Sequence, residues 1–147
     1  MRTIRIQAEA FDAGAEIAAL TKGGTAAGAV VTFSGHVRGD DDLVSMMLEH
    51  YPGMTEREIA RHVDEAEKRW PLLGVTVIHR IGKLVPGDAI VLVAVSSRHR
   101  KAAFEAAEFL MDYLKTRAPF WKEETRGEQS SWVESRASDS ERADRWK

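Results

Sequence analysis

The segment SRHRKAAFEAAEFLMDYLKTRAPFWKE, residues 97–123, decides the fold. Its alanines and leucines recur at helical spacing, which predicts a helix with one buried face. The residues on that face are Ala103, Ala106, Ala107, Leu110 and Leu114. The hydroxyl of Ser96 or Ser97 is expected to cap the start by accepting a hydrogen bond from a free backbone N–H. Ala118 and Pro119 are expected to end the helix, because proline cannot donate a backbone hydrogen bond.

The two ends of this predicted helix carry different cationic groups. His99 and Arg100 lie in the first turn, where free N–H groups and the helix dipole favour an anion. Lys115 lies in the last turn, and Lys122 follows on a short predicted strand. At helical rise, His99 and Lys115 are roughly 24 Å apart along the axis. One small substrate cannot contact both ends, so the cations form either two sites or one site shared by two helices of a symmetric dimer.

The composition indicates one globular domain. The chain has 147 residues, 44% hydrophobic and 30% charged, with a net charge of −2, which argues against a general nucleic-acid binder. It has no cysteine, which excludes disulfides, thiolate metal sites and a cysteine nucleophile or persulfide. We see no signal-peptide core and no apolar run near the ~20 residues of a membrane span, so we expect a cytoplasmic protein.

The rest of the chain is predicted to form a series of strands with two further helices. Apolar runs predict strands at residues 3–7, 27–33, 43–51, 75–81, 89–95 and 119–124, and around Trp132 and Val133. The run at 27–33 is expected to be buried on both faces, and that at 75–81 on one face. Helices are predicted at residues 13–20 and from a capping box at residues 55–58 to Pro71.

Consecutive strands are expected to pair as hairpins, which predicts the fold class. That class is α+β, with helices packed on a mostly antiparallel sheet in a single domain. The domain is expected to span residues 1–136. Residues 137–147 are polar and are expected to form a loose tail.

A glycine-flanked basic loop, Gly-His-Val-Arg-Gly at residues 35–39, follows the second predicted strand. Its N–H groups and the guanidinium of Arg38 could hold a phosphate. The alternative is a tight turn with a solvated arginine. The three aspartates at residues 40–42 lack the spaced ligands of a calcium loop and are expected to be solvated.

The cations of the central helix also have two interpretations. Arg98, Arg100 and Lys101 have the wrong sign for a helix N-terminus, which indicates that an anion binds there. The alternative is a charged first turn in solvent. Lys115 and Lys122 lie near aromatic residues, where a lysine with a lowered pKa can act as base, acid or nucleophile. The alternative is an ordinary cation at a helix C-terminus.

The histidines His50 and His79 lie on predicted strands and are expected to pack in the core. No spacing of ligands predicts a metal site or a bound cofactor, so none is expected. From the residues alone, the chain is an α+β domain that binds a small phosphorylated or carboxylated ligand, with a dimer as one way to assemble the site.

These segments, in order over residues 30–133, resemble a known family. They include FSGHVR (33–38), LEHYPGM (48–54), HRIG (79–82), SRHR (97–100) and DYLKTRAPFWKE (112–123). The long last segment makes the likeness specific. The chain resembles the large, catalytic subunit of molybdopterin synthase, a family with a hammerhead-like α/β fold.

The resemblance implies a sulfurtransferase of molybdenum cofactor biosynthesis. The family converts cyclic pyranopterin monophosphate into molybdopterin by adding the two sulfurs of its dithiolene. The sulfur arrives as a thiocarboxylate on the C-terminal Gly-Gly of a small ubiquitin-like subunit. Two large subunits form a homodimer with one small subunit at each end, a heterotetramer. A chain without cysteine agrees with an external sulfur donor.

The resemblance also assigns roles by position. Lys115 and Lys122 are the expected catalytic residues, Lys115 in proton transfer or activation of the thiocarboxylate carbonyl and Lys122 in charge stabilisation. The expected substrate-binding residues are His36, Val37, Arg38, His99, Arg100, Lys115, Lys122, Glu123 and Glu124. Arg136 is also expected to reach a site.

One position departs from the family pattern. His36 stands where we expect lysine, and a protonated imidazole would compensate for the lost charge. Two alternatives stay open. The first is a non-catalytic scaffold that binds a ubiquitin-like partner or a phosphorylated ligand, and the second is an unrelated enzyme or sensor for a phosphate ligand.

Overall fold

The computed structural model describes residues 1–127, 129–132 and 137–147. Its strands are β1 (Arg2–Gln7), β2 (Ala29–His36), β3 (Leu43–His50), β4 (Leu72–Arg80), β5 (Gly82–Leu84), β6 (Ala89–Ser97), β7 (Phe120–Arg126) and β8 (Gln129–Trp132). Its helices are α1 (Ala13–Thr21), α2 (Met54–Arg69), α3 (Arg100–Thr116) and α4 (Ala137–Asp144). None of these four described helices is long and apolar enough to cross a membrane.

The strands form two four-stranded sheets. The first has the order β1-β4-β6-β2, with β1 parallel to β4 and the other pairs antiparallel. The second has the order β5-β3-β7-β8 and is antiparallel. The predicted α+β class with mostly antiparallel pairing is confirmed.

Hairpin pairing holds for β4 with β6 and for β7 with β8, but it is wrong for β2 with β3. The register of β2 breaks between Gly35 and His36. The backbone of Val37 then bonds Asp88 and Gly87 at 2.8 Å each, which fixes the exit of β2 beside the turn before β6. The chain leaves the first sheet there, and β3 joins the second.

Burial on β2 and β4 is the reverse of the prediction. β4 lies between β1 and β6, and residues 74–79 are buried on both faces. β2 lies at the sheet edge, and its Phe33 side chain is 39% exposed. An apolar run does not distinguish a central strand from an edge strand whose apolar side chains line a cavity.

Helix α3 has the buried face predicted for it, although Leu114 is only partly buried. The serine cap is wrong, because β6 continues through Ser97 and the N-cap residue is His99, whose side chain makes no capping bond. The Ser97 hydroxyl instead donates to the carbonyl oxygen of His99. The helix ends at Thr116, with Lys115 in its last turn.

Helix α2 begins one residue before the predicted capping box. Its N-cap is Gly53, at φ +85°, a conformation that glycine adopts without steric cost. The Gly53 N–H donates to the Glu56 carboxylate at 2.9 Å. The Thr55 hydroxyl accepts from the Tyr51 N–H and donates to the Pro119 carbonyl, each at 3.0 Å, and so ties the start of α2 to β7.

The C-terminal residues, expected as a loose tail, contain α4 and pack against α3. The Trp146 Nε1–H donates at 2.5 Å to the carboxylate of Asp112, which is 6% exposed. The Trp146 ring also meets Phe109 and Trp70 edge-on, with centroids 5.8 Å away. Trp146 and the buried carboxylate of Asp112 therefore help to pack the polar C-terminal segment against α3. Val133 and Arg136 lie outside the described residues.

Candidate functional site

A cavity of about 950 Å³ opens between the two sheets at the C-terminal end of α3. It is lined by the end of β2 and the loop after it, by β3 and β7, and by the last turn of α3. Five of the sequence-predicted site residues lie on its wall. They are His36, Arg38, Lys115, Lys122 and Glu124.

Strand β7 supplies one polar wall of this cavity. Side chains two residues apart on a strand share a face, so Lys122, Glu124 and Arg126 all point to the cavity. Glu123 lies between them and is absent from the cavity wall, and it pairs across the sheet with Met47.

The Glu124 carboxylate links the two cations of this wall. It is 9% exposed. Its Oε1 lies 3.7 Å from the Lys122 Nζ, and its Oε2 lies 2.6 Å from the Arg126 Nη2. A buried charge needs a partner of opposite sign, so Glu124 and the two cations hold one another in place.

The loop after β2 presents its arginine to the same cavity. Arg38 Nε lies 3.1 Å from the Asp40 carboxylate, and the Arg38 side chain is 76% exposed. His36 Nε2 lies 2.7 Å from the Ser34 hydroxyl. Val37, in contrast, is buried with Met46, Leu48 and Leu84, so its side chain anchors the loop to the second core.

His99 and Arg100 are at the opposite end of α3 from this cavity. At a rise of about 1.5 Å per residue, the helix separates His99 from Lys115 by about 24 Å along its axis. Within one chain, the structure therefore brings Arg38, Lys115 and Lys122 together and leaves the His99 and Arg100 pair apart.

His79, predicted as a packed core histidine, is buried but also lines the cavity. Its ring stacks on Phe120 with centroids 3.9 Å apart, and its Nδ1 lies 2.8 Å from the Arg80 carbonyl oxygen. Burial, with a smaller contribution from the nearby positive charge of Lys115, lowers the pKa of His79 from 6.5 to about 4. The imidazole is therefore neutral at pH 7, with Nδ1–H donating to the carbonyl and Nε2 left as an acceptor.

Sequence reasoning gave no role to His79 or Arg126. The signal for Arg126 was available, because it follows Lys122 and Glu124 at two-residue spacing on one strand. For His79 the available signal was its place in the HRIG segment of the resemblance.

The fold and the cavity define a class of protein. It is a single-domain α+β protein whose cavity presents cations from three elements and an uncharged histidine, an arrangement suited to an anionic substrate.

Comparisons with known proteins identify the family. The family model described as MoaE protein matches residues 6–117. The molybdopterin synthase catalytic subunit of Mesorhizobium japonicum is 59% identical over 99% of this chain and 93% of its own length. That of Escherichia coli is 62% identical over 81% of each chain. The solved MoaE protein from Burkholderia ambifaria has a TM-score of 0.86 at 48% identity, covering 99% of this chain and 98% of its own.

The chain belongs to the MoaE protein family. It is an enzyme, with the function of a molybdopterin synthase catalytic subunit in molybdenum cofactor biosynthesis.

Proposed function

We propose that this chain transfers sulfur from the C-terminal thiocarboxylate of a small ubiquitin-like subunit to cyclic pyranopterin monophosphate. The observation that carries the proposal is the single cavity that joins Lys115, Lys122 and the Arg38 loop. The thiocarboxylate sulfur bonds to a substrate carbon as a carbon–oxygen bond at that carbon breaks and the oxygen leaves, protonated as water or retained on the opened phosphate ester. Water then cleaves the acyl–sulfur bond. Each carrier leaves as a carboxylate, so one dithiolene consumes two carriers. A chain without cysteine has no thiol of its own to relay the sulfur.

Arg38 is the proposed phosphate-binding residue. Its present partner is Asp40, in a pair exposed on both sides. Exposed ion pairs contribute about 0–1 kcal/mol, so a substrate phosphate can replace the Asp40 carboxylate at little cost. The guanidinium offers the phosphate a bidentate contact, and a protonated His36 would add a second charge at the same loop.

Lys115 and Lys122 are the proposed catalytic residues. Lys115 would activate the thiocarboxylate carbonyl or transfer a proton, and Lys122 would stabilise developing negative charge and contact the substrate. Glu124 supports this role of Lys122, because its carboxylate lies beside the ammonium group. The neutral His79 supports the role of Lys115, because an uncharged imidazole adds no second positive charge beside the ammonium group.

His99 and Arg100 enter the proposal through a dimer. They lie too far from Lys115 to share a small substrate within one chain. In a symmetric dimer, the first turn of α3 of one protomer would meet the cavity of its partner. Phe104, in the second turn of the helix, is 60% exposed and would be covered in that dimer. The proposed assembly is this homodimer with a small subunit at each end, acting in the cytoplasm.

A reconstituted sulfur-transfer assay tests the proposal. This chain, a thiocarboxylated small subunit and cyclic pyranopterin monophosphate are mixed, and dithiolene product is followed. We expect product with wild type, and a loss of about 10²-fold or more in kcat for Lys115→Ala. Lys68→Ala is the matched control, since Lys68 is also in the last turn of a helix, α2, but far from the cavity wall.

Two results would count against the proposal. Full activity of a folded Lys115→Ala variant would remove the assigned role of Lys115. No product from wild type that still binds the small subunit would favour the scaffold function instead.

A further inference from the structure

The loop that carries Arg38 is held in an unusual backbone conformation. Asp41 and Asp42 are consecutive non-glycine residues with positive φ, at +50° and +60°. This left-handed region costs an L-residue about 1–2 kcal/mol, although aspartate tolerates it better than most. The Leu43 N–H donates to the Asp40 carbonyl at 3.0 Å and closes a turn over these two residues, so contacts from outside the loop are what fix the turn against the rest of the fold.

Arg126 supplies those contacts from β7. Its Nη1 donates to the carbonyl oxygens of Asp40, at 2.9 Å, and Asp41, at 2.8 Å. Its Nη2 donates at 2.6 Å to the Glu124 carboxylate, so a buried anion fixes the other edge of the guanidinium. The neighbouring Gly127 N–H donates to the Asp42 carbonyl at 3.3 Å.

These contacts connect the loop to the two proposed functional cations. On one side, the Asp40 carboxylate is paired with Arg38. On the other, the Glu124 carboxylate is 3.7 Å from Lys122. Arg126 connects the two pairs, because its guanidinium donates both to the loop backbone and to the Glu124 carboxylate.

We propose that Arg126 is a positioning residue for substrate binding, which sets the place of Arg38 by fixing the backbone of residues 40–42. The inference rests on the proposed function of Arg38. Without Arg126, the turn loses its anchor on β7 and the Arg38 guanidinium loses its fixed position at the cavity. The bound substrate then has to order the loop, so affinity falls, while Lys122 keeps the Glu124 carboxylate as its partner at 3.7 Å.

A guanidinium is required for this role. Arg126 makes three hydrogen bonds from its planar guanidinium, two to carbonyls and one to a carboxylate. Lysine presents a single point charge and cannot satisfy all three in that geometry. Arg126→Lys, which keeps the charge of the cavity, is therefore expected to behave like Arg126→Gln.

The test compares single and double variants in binding and in turnover. Titration calorimetry gives the Kd of cyclic pyranopterin monophosphate for wild type, Arg126→Gln, Arg38→Ala and the double variant. We expect Arg126→Gln to raise Kd about tenfold, and the double variant to bind no worse than Arg38→Ala, because the two residues act through one contact. In the reconstituted enzyme, Arg126→Gln should keep kcat within about twofold while KM rises. Arg61→Gln is the matched control, an exposed ion-paired arginine on α2, and should leave Kd unchanged.

Each other outcome overturns the inference. Additive losses in the double variant would mean that Arg126 binds substrate directly or acts elsewhere. Unchanged Kd in Arg126→Gln, with Arg38→Ala impaired, would overturn this inference alone. Unchanged Kd in Arg38→Ala would overturn the proposed role of Arg38 and this inference with it. If Arg126→Gln does not fold, Arg126→Lys takes its place in the same cycle, and wild-type affinity of that variant would contradict the need for a guanidinium.

Discussion

His79 is a buried neutral imidazole, and its protonation opposes folding. Burial lowers the pKa of His79 from 6.5 to about 4, so between these values the unfolded chain binds more protons than the folded one. Stability from this group is therefore complete above about pH 6.5 and is lost as pH falls towards 4. One pKa unit corresponds to about 1.4 kcal/mol, which gives a loss of about 3 kcal/mol over the window. Burial also lowers the pKa of His62, which adds an effect of the same sign.

This pH dependence can be measured by urea unfolding at pH 7 and pH 5. Wild type should lose free energy of unfolding at the lower pH, and His79→Phe should lose less. Phenylalanine keeps a ring against Phe120 and removes the titrating group. His99→Asn is the control, since His99 is exposed and its replacement should retain the wild-type difference. An equal pH difference in His79→Phe and wild type would contradict the assignment.

At the scale of elements, Trp146 fastens the C-terminal segment to α3, alongside ion pairs of Arg142 and Arg145 with Glu108 and Asp112. Trp146 packs against Phe109 and Trp70 and satisfies the buried carboxylate of Asp112. Trp146→Ala removes this packing and leaves Asp112 with weaker partners, so we expect a loss of about 2–3 kcal/mol in the free energy of unfolding. Val44→Ala, at an exposed apolar position, should change it by less than about 0.5 kcal/mol. A loss no larger than that of Val44→Ala would show that the Trp146 contact contributes nothing to stability.

Some of the elements could be predicted from local sequence pattern, and others could not. The period of α3 and the apolar runs of β4 and β6 are local, and they predicted those elements correctly. Assignment of β2 and β3 to different sheets depends on a register break and on backbone bonds to residues about fifty positions away, which no period encodes. The helix α4 escaped prediction for the same reason, because its partners are on α3.

The residues of the candidate site also fall into those that local motifs predict and those that only tertiary contacts define. Arg38, Lys115 and Lys122 could be predicted because they belong to local motifs, and the structure brings them to one cavity. His79 and Arg126 were given no role, because what they do depends on tertiary contacts. His79 is defined by burial beside Lys115, and Arg126 by carbonyls of a loop more than eighty residues earlier.

At the scale of the whole molecule, the length of α3 makes a prediction about subunits. If one active site takes Lys115 from one protomer and Arg100 from its partner, variants of these residues should complement each other. A mixed dimer of Lys115→Ala and Arg100→Ala subunits has both defects in one site and neither in the other. Random mixing of equal amounts forms half mixed dimers, each with one of two sites intact, so activity should recover to about one quarter of wild type.

The choice of partner variant provides the control for this experiment. Lys115 and Lys122 line the same cavity of the same chain. A mixed dimer of Lys115→Ala and Lys122→Ala subunits therefore has one defect in each site and should recover no activity. Mixing is done under conditions where the subunits exchange, and sulfur transfer is measured against each homodimer. Recovery with Arg100→Ala but not with Lys122→Ala would require a site shared between protomers. If neither pair recovers although each homodimer is inactive, Arg100 acts within its own chain, and the anion expected at the start of α3 belongs to a second site.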